Sequence, residues 1–147
     1  MDLQGRAALI TGGAGHIGIA MAEALAELGC GLCLVDRDQD ALDQVAGVLR
    51  ESWTVPVWTM VADLEDEQAR NDLCVSVTDT CGRLDTLVNN AAFQVHSADF
   101  SDLTPEHFDL TLKTNLYGYF HMAQAAVEHM RPGSAIVPWP SGISHRL

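Results

Sequence analysis

One segment limits what this chain can fold into more than any other. Thr11-Gly12-Gly13-Ala14-Gly15-His16-Ile17-Gly18 joins a short apolar run, Ala7 to Thr11, to a helical pattern from about His16 to Leu28. A glycine-rich bend between a buried strand and a helix gathers backbone N–H groups and the positive helix end at one point, with no Cβ in the way. A pyrophosphate suits such a point. Gly12 permits the tight turn, Gly15 lets the backbone approach phosphate oxygens, and Gly18 lets the helix lie close on the sheet. His16 and Ile17 complete the candidate phosphate contacts in the first helical turn. A glycine cluster also occurs in ordinary strand-to-helix turns, so the flanking strand and helix carry the reading.

Asp36 ends the second apolar run, Gly31 to Asp36, and lies 18 residues beyond Gly18. A carboxylate there accepts both hydroxyls of an adenosine ribose and repels a 2′-phosphate, which favours NAD over NADP. A capping aspartate is the plainer alternative. Arg37 follows and would tolerate a 2′-phosphate, so NADP stays open as the less favoured cofactor.

Short apolar runs alternate with helical stretches along the whole chain, which predicts βαβ units and a parallel sheet. The first helix places Ile17, Met21, Leu25 and Leu28 on one face, and Gly29 ends it. A second helix starts after the N-cap Asp38 and carries Leu42, Val45 and Leu49. Strand three covers about Val55 to Ala62, with Pro56 near its start suiting an edge strand. A helix from about Glu65 to Cys81 and a strand from about Thr86 to Asn89 follow. The longest helix opens at Thr104-Pro105 and carries Phe108, Leu112, Leu116, Phe120, Val127 and Met130. Pro132-Gly133 ends it, before a fifth strand at about Ala135 to Val137. The pattern implies a three-layer Rossmann-type α/β domain, residues 1–147, with strand order 3-2-1-4-5 and helices on both faces.

At 147 residues the chain suits one domain with one core. Its net charge of −12 disfavours nucleic acid or an anionic membrane as partner. The weakly polar stretch from Ala7 to Ala22 is broken by four glycines and reads poorly as a membrane span or leader, which points to a cytoplasmic protein. Cys30 and Cys33 lie in an apolar run that reads as a strand, where residues three apart face opposite ways. They read as small core residues, as do Cys74 and Cys81 on a predicted helix. The histidines His96, His107, His129 and His145 show no ligand spacing, so no metal is expected.

These residues together resemble the short-chain dehydrogenase/reductase family. The resemblance runs to about Ser134 and draws in further segments. Asp63-Leu64 stands where the family sets an aspartate against the adenine ring. Asn89-Asn90-Ala91-Ala92 looks like the family's Asn-Asn-Ala-Gly motif, which supports the sheet and lines the adenosine-ribose side of the cofactor. Asn115 resembles the asparagine implied to hold a water in the proton relay. Ser141 falls where the family's fifth strand ends at a catalytic serine. The resemblance implies hydride transfer between a nicotinamide and an alcohol or carbonyl substrate. The Gly-x-x-Gly-x-x-Gly spacing departs towards the family's extended branch of sugar-nucleotide epimerases and dehydratases, whereas the Asn-Asn-Ala motif and the Asn115 helix resemble the compact branch.

The family's chemistry uses a Tyr-x-x-x-Lys pair. Here the only lysine is Lys113, and His121 and Ala123 stand four residues after Tyr117 and Tyr119. The chain therefore reads as truncated before that pair, with the later strands missing. Residues 138–147 form an atypical tail, Pro138-Trp139-Pro140 being unlike a central strand. A shifted reading frame near Val137 would account for it. The isolated chain is expected to bind dinucleotide without turnover, as a binding module or an inactive fragment, and to form homo-oligomers through the uncovered fifth strand and long helix.

Overall fold

The computed structural model describes residues 2–93 and 99–138. Ser141, Trp139, Pro140, His96 and His145 lie outside the described residues. Five parallel strands form one sheet in the order β3-β2-β1-β4-β5. They are β1 (Ala7–Thr11), β2 (Gly31–Asp36), β3 (Val57–Val61), β4 (Leu84–Asn89) and β5 (Met130–Pro138). The helices are α1 (His16–Glu27), α2 (Gln39–Ser52), α3 (Glu67–Cys81), α4 (Pro105–Leu112) and α5 (Gly118–Val127). A single π-helical turn, Lys113–Tyr117, joins α4 to α5.

Alternation along each strand builds two cores. Ile10, Leu32, Leu34 and Val88 pack with Ala22 and Ala26 of α1 and Leu42, Ala46 and Leu49 of α2. Leu9, Cys33, Val35 and Leu87 face the other way, onto Leu73, Cys74 and Val77 of α3 and Met122 and Ala126 of α5. β1 is buried at every position because helices cover both of its faces. Cys30 and Cys33 diverge accordingly. The Cys30 thiol bonds the Arg6 and Gly31 carbonyls, and Cys33 enters the α3 side.

Three helical or strand expectations shift. The fully buried residues of α1 are Gly18, Ala22 and Ala26, with Met21 and Leu25 partly buried against the same core, and Ile17 is 46% exposed. Small residues let this helix lie close to the sheet. The longest helix stops at Val127, and β5 begins at Met130. Pro132 and Gly133 sit inside an irregularity in that strand, not at a helix end. Leu84 pairs with Met130 and Thr86 with Ala135, so Arg131 to Ser134 stand opposite Asp85 alone. Gly133, at φ +89°, permits that excursion. Finally, Phe108, Leu116, Phe120 and Val127 are all more than half exposed, while Met122 and Ala126 are buried.

Candidate functional site

All five strands point their C-terminal ends at one edge of the sheet, and a cleft of about 480 Å³ opens there. Its floor is the bend after β1. Gly12 turns at φ +63°, and Gly13 N–H donates to the Val35 carbonyl at 2.9 Å, which ties the bend to β2. A Cβ on Gly12 would lie 2.9 Å from the Ala91 Cα, and one on Gly18 would strike the Gly12 carbonyl oxygen. Those two glycines are demanded by the protein's own packing. Gly15 is not. Its φ is −80°, and a Cβ there would meet only the Gly12 oxygen, at 3.4 Å. Gly15 lines the cleft, so the space left by its missing side chain is available to a ligand.

Helix α1 differs from its neighbours at its N-terminus. Asp38 caps α2 by accepting from Ala41 N–H at 3.0 Å, and Asp66 caps α3 by accepting from Ala69 N–H at 2.9 Å. Both helices also carry an acid in the first turn. No side chain caps α1, and its first turn holds no acid. The N–H groups that open every helix lack intrahelical partners. In α1 they face a cleft lined by His16 and Ile17 and keep the positive end of the dipole uncompensated.

Asp36 lines the same cleft from the end of β2. Its carboxylate accepts from Ala14 N–H at 3.3 Å and Arg37 N–H at 2.8 Å, which fixes it beside the glycine bend. Arg37 also lines the cleft, as do Asp63 and Leu64 from the loop after β3. Asp63 is held by accepting from Glu65 N–H at 3.0 Å.

The fourth wall is the segment after β4. Thr11 Oγ1 donates to the Val88 carbonyl at 3.3 Å and accepts from Asn90 N–H at 2.9 Å and Ala91 N–H at 3.0 Å. Asn90 Nδ2 donates back to the Thr11 and Gly12 carbonyls at 3.0 and 3.1 Å. The Asn90 amide nitrogen is thus committed to joining the two loops, while Ala91 and Ala92 present their surfaces to the cleft. Asn115 sits in the π-helical turn. Its Oδ1 accepts from Phe93 N–H at 2.7 Å and its Nδ2 donates to the Phe93 carbonyl at 2.8 Å. This two-point clamp ties the π-helical turn to the backbone of Phe93, which lines the cleft.

Sequence reasoning did not foresee one wall. Leu110, Thr114, Gly118 and Met122 line the cleft from α4, the π turn and α5. Their spacing of four was a usable signal, but the bulkier set at 108, 112, 116 and 120 has the same period and masked it. The Thr11 hydroxyl, which joins three partners, was likewise given no part in the site by the sequence. Among the described residues, no group of three or more metal-ligating side chains comes together, and no helix is long and apolar enough to cross a membrane.

A family model described as short chain dehydrogenase matches residues 6–145. General stress protein 39 of Bacillus subtilis is 35% identical over 137 residues, covering 92% of this chain and 47% of that protein. Glucose and ribitol dehydrogenase of Daucus carota is 30% identical over 141 residues, covering 92% and 48%. The crystal structure of NAD+-bound xylitol dehydrogenase superposes with a TM-score of 0.82 at 32% identity, over 88% of this chain and 49% of that one. A short chain dehydrogenase from Burkholderia cenocepacia J2315 in complex with NADP gives 0.82 at 31% identity, over 92% and 55%. The chain spans about half the length of the curated relatives it matches.

Proposed function

The chain belongs to the short chain dehydrogenase family, and from that premise we propose that its cleft binds a nicotinamide dinucleotide, with NAD preferred to NADP. One observation carries this reading: α1 alone among the first three helices leaves its opening N–H groups without a side-chain cap or a nearby acid, and it does so inside the cleft. The group would meet a cradle that fits it. Backbone N–H groups of His16, Ile17 and Gly18 would hold the pyrophosphate over the bare Cα of Gly15. Asp36 would accept the ribose hydroxyls, and its charge would oppose a 2′-phosphate more than Arg37 offsets it. Asp63 and Leu64 would meet the adenine, with Ala91 and Ala92 along the adenosine ribose. The relatives solved with NAD+ and with NADP support a nicotinamide dinucleotide as the ligand class.

When bound, that group supplies hydride exchange with an alcohol or carbonyl carbon. The protein's part in such chemistry is to move a proton at the substrate oxygen. This chain contains no tyrosine with a lysine four residues on. We therefore propose that it binds dinucleotide without turnover and acts as an oxidoreductase only with residues it does not itself carry. Any relay water at Asn115 is left with the second lone pair of Oδ1 or the second N–H of Nδ2, because the Phe93 backbone takes one bond at each atom. Ser141 is assigned substrate orientation within the same proposal. We further propose homo-oligomers, formed through the exposed apolar residues of α4 and α5 and the edge of β5, and a cytoplasmic location.

Titration with NADH, followed by enhancement of its fluorescence, tests the reading. Saturable binding is expected, weaker for NADPH, and weakened at least tenfold in Asp36→Ala. No enhancement with either cofactor overturns the binding claim. Alcohol-dependent reduction of NAD by the purified chain overturns the claim of no turnover.

A further inference from the structure

We propose that Arg70 is a positioning residue for the adenine end of the cleft: its guanidinium holds the Leu64 carbonyl and so fixes the Asp63-Leu64 wall. The assignment rests on the dinucleotide reading of the cleft. Nη1 of Arg70 donates to the Leu64 main-chain oxygen at 2.8 Å. The residue is nearly enclosed, at 7% exposed. Among the described residues, no carboxylate pairs with it. Arg70 does not line the cleft, so it acts through Leu64, which does.

Local chemistry argues against a cation at this position. The buried residues of α3 are Arg70, Leu73, Cys74 and Val77, the i, i+3, i+4, i+7 stripe on which a helix carries apolar side chains. A guanidinium taken out of water needs partners to offset its lost hydration. Here, among the described residues, its side-chain bond goes to a carbonyl and not to an acid. Arg70 also stands close to the N-cap Asp66, where the positive end of the helix disfavours a cation. An apolar side chain would serve the helix and its packing better. What the guanidinium adds is reach, back from α3 to the loop that precedes it.

That loop, residues 62–66, is held at separate points. Ala62 N–H donates to the Asp36 carbonyl at 3.2 Å, which fixes its start to the end of β2. Asp63 accepts from Glu65 N–H at its carboxylate, at 3.0 Å, and from Asp66 N–H at its carbonyl, at 3.2 Å, which closes a turn. The Leu64 carbonyl lies within that turn, and among the described residues no main-chain N–H reaches it. Arg70 supplies its donor. Holding that oxygen sets the plane of the Leu64–Glu65 peptide, and with it the backbone torsion at Leu64. The Leu64 side chain, packed against the core that holds Leu73 and Met122, is thereby kept where it lines the cleft beside Asp63.

The test uses the full chain, with NADH fluorescence as reporter and adenosine monophosphate as a competitor that carries only the adenosine half. Arg70→Met keeps an unbranched apolar stem and removes the donors. Its melting temperature is expected to match or exceed the parent's, since an apolar residue suits the stripe. Its dissociation constants for NADH and adenosine monophosphate are both expected to rise roughly fivefold. Arg70→Lys keeps a donor for the one carbonyl and is expected to bind adenosine monophosphate as the parent does. A Leu64→Ala chain has already lost the side chain that Arg70 positions, so adding Arg70→Met to it is expected to weaken binding little further. A lower melting temperature in Arg70→Met, equal losses with Arg70→Met and Arg70→Lys, or additive losses with Leu64→Ala would each overturn the proposal. A parent that binds both ligands, beside an Arg70→Met chain that binds them equally well, overturns this assignment alone. A parent that binds neither overturns the dinucleotide reading, and this assignment with it.

Discussion

A single methyl group should have opposite consequences at Gly15 and Gly18. At position 18 it would collide with the Gly12 carbonyl, a backbone atom that cannot swing aside. Gly18→Ala is therefore expected to destabilise the fold by about 1–3 kcal/mol, as overpacking does, and to lower the urea midpoint. At position 15 the methyl has room and the backbone is already in an ordinary region. Gly15→Ala is expected to keep the melting temperature within a few degrees yet weaken NADH binding at least tenfold. A Gly15→Ala protein that binds NADH normally would show that phosphate does not approach that Cα. Asn115→Ala removes both bonds to the Phe93 backbone, and its expected signature is weaker cofactor binding with a modest loss of stability.

Among elements, the contrast between the N-termini of α1, α2 and α3 is the most informative. Asp66→Ala removes a cap and is expected to cost about 1 kcal/mol in urea unfolding. His16→Asp places a charge in the first turn of α1 that favours the helix but opposes an anion. It is expected to hold or raise stability while weakening NADH binding, a pairing that ordinary damage to the fold does not produce. The strand ends supply a pH dependence. Burial alone would raise the Asp85 carboxyl, but Arg83 at 2.5 and 2.6 Å and the Ala7 N–H at 2.9 Å hold it below the usual carboxylate range. Its folded-state pKa lies below its unfolded value, so its contribution is complete above the unfolded pKa, near 4, and is lost as pH falls below it. Stability measured from pH 6 down to pH 3 should fall less steeply in Asp85→Asn than in the parent; equal slopes would remove Asp85 as the cause.

At the scale of the whole molecule, the apolar surface is unevenly covered. Phe108, Leu116, Phe120 and Val127 stand more than half exposed on α4, the π turn and α5, and β5 is the outer strand of the described sheet. A patch of this kind marks an interaction surface, and an uncovered strand edge invites pairing. Sedimentation velocity is expected to show a concentration-dependent dimer or larger species, shifted toward monomer by Leu116→Glu with Phe120→Glu. A monomer at all concentrations would refute self-association through these faces.

The sequence by itself determined the element order, the parallel sheet and the residues at its C-terminal edge. Strand runs, glycine turns and caps such as Asp38 are written in local chemistry, and Gly12, Asp36, Asp63 and Asn90 meet because parallel strands end on one side. What the local pattern could not decide was which of two apolar faces packs inward. In α1 the small stripe Gly18, Ala22 and Ala26 is fully buried, which lets that helix lie close to the sheet, and in α5 Met122 and Ala126 face inward. Only the tertiary structure showed Asn115 and Asn90 bound to backbone. Periodicity reports that a side chain can be buried; its partner is chosen by the packing of elements distant in the chain.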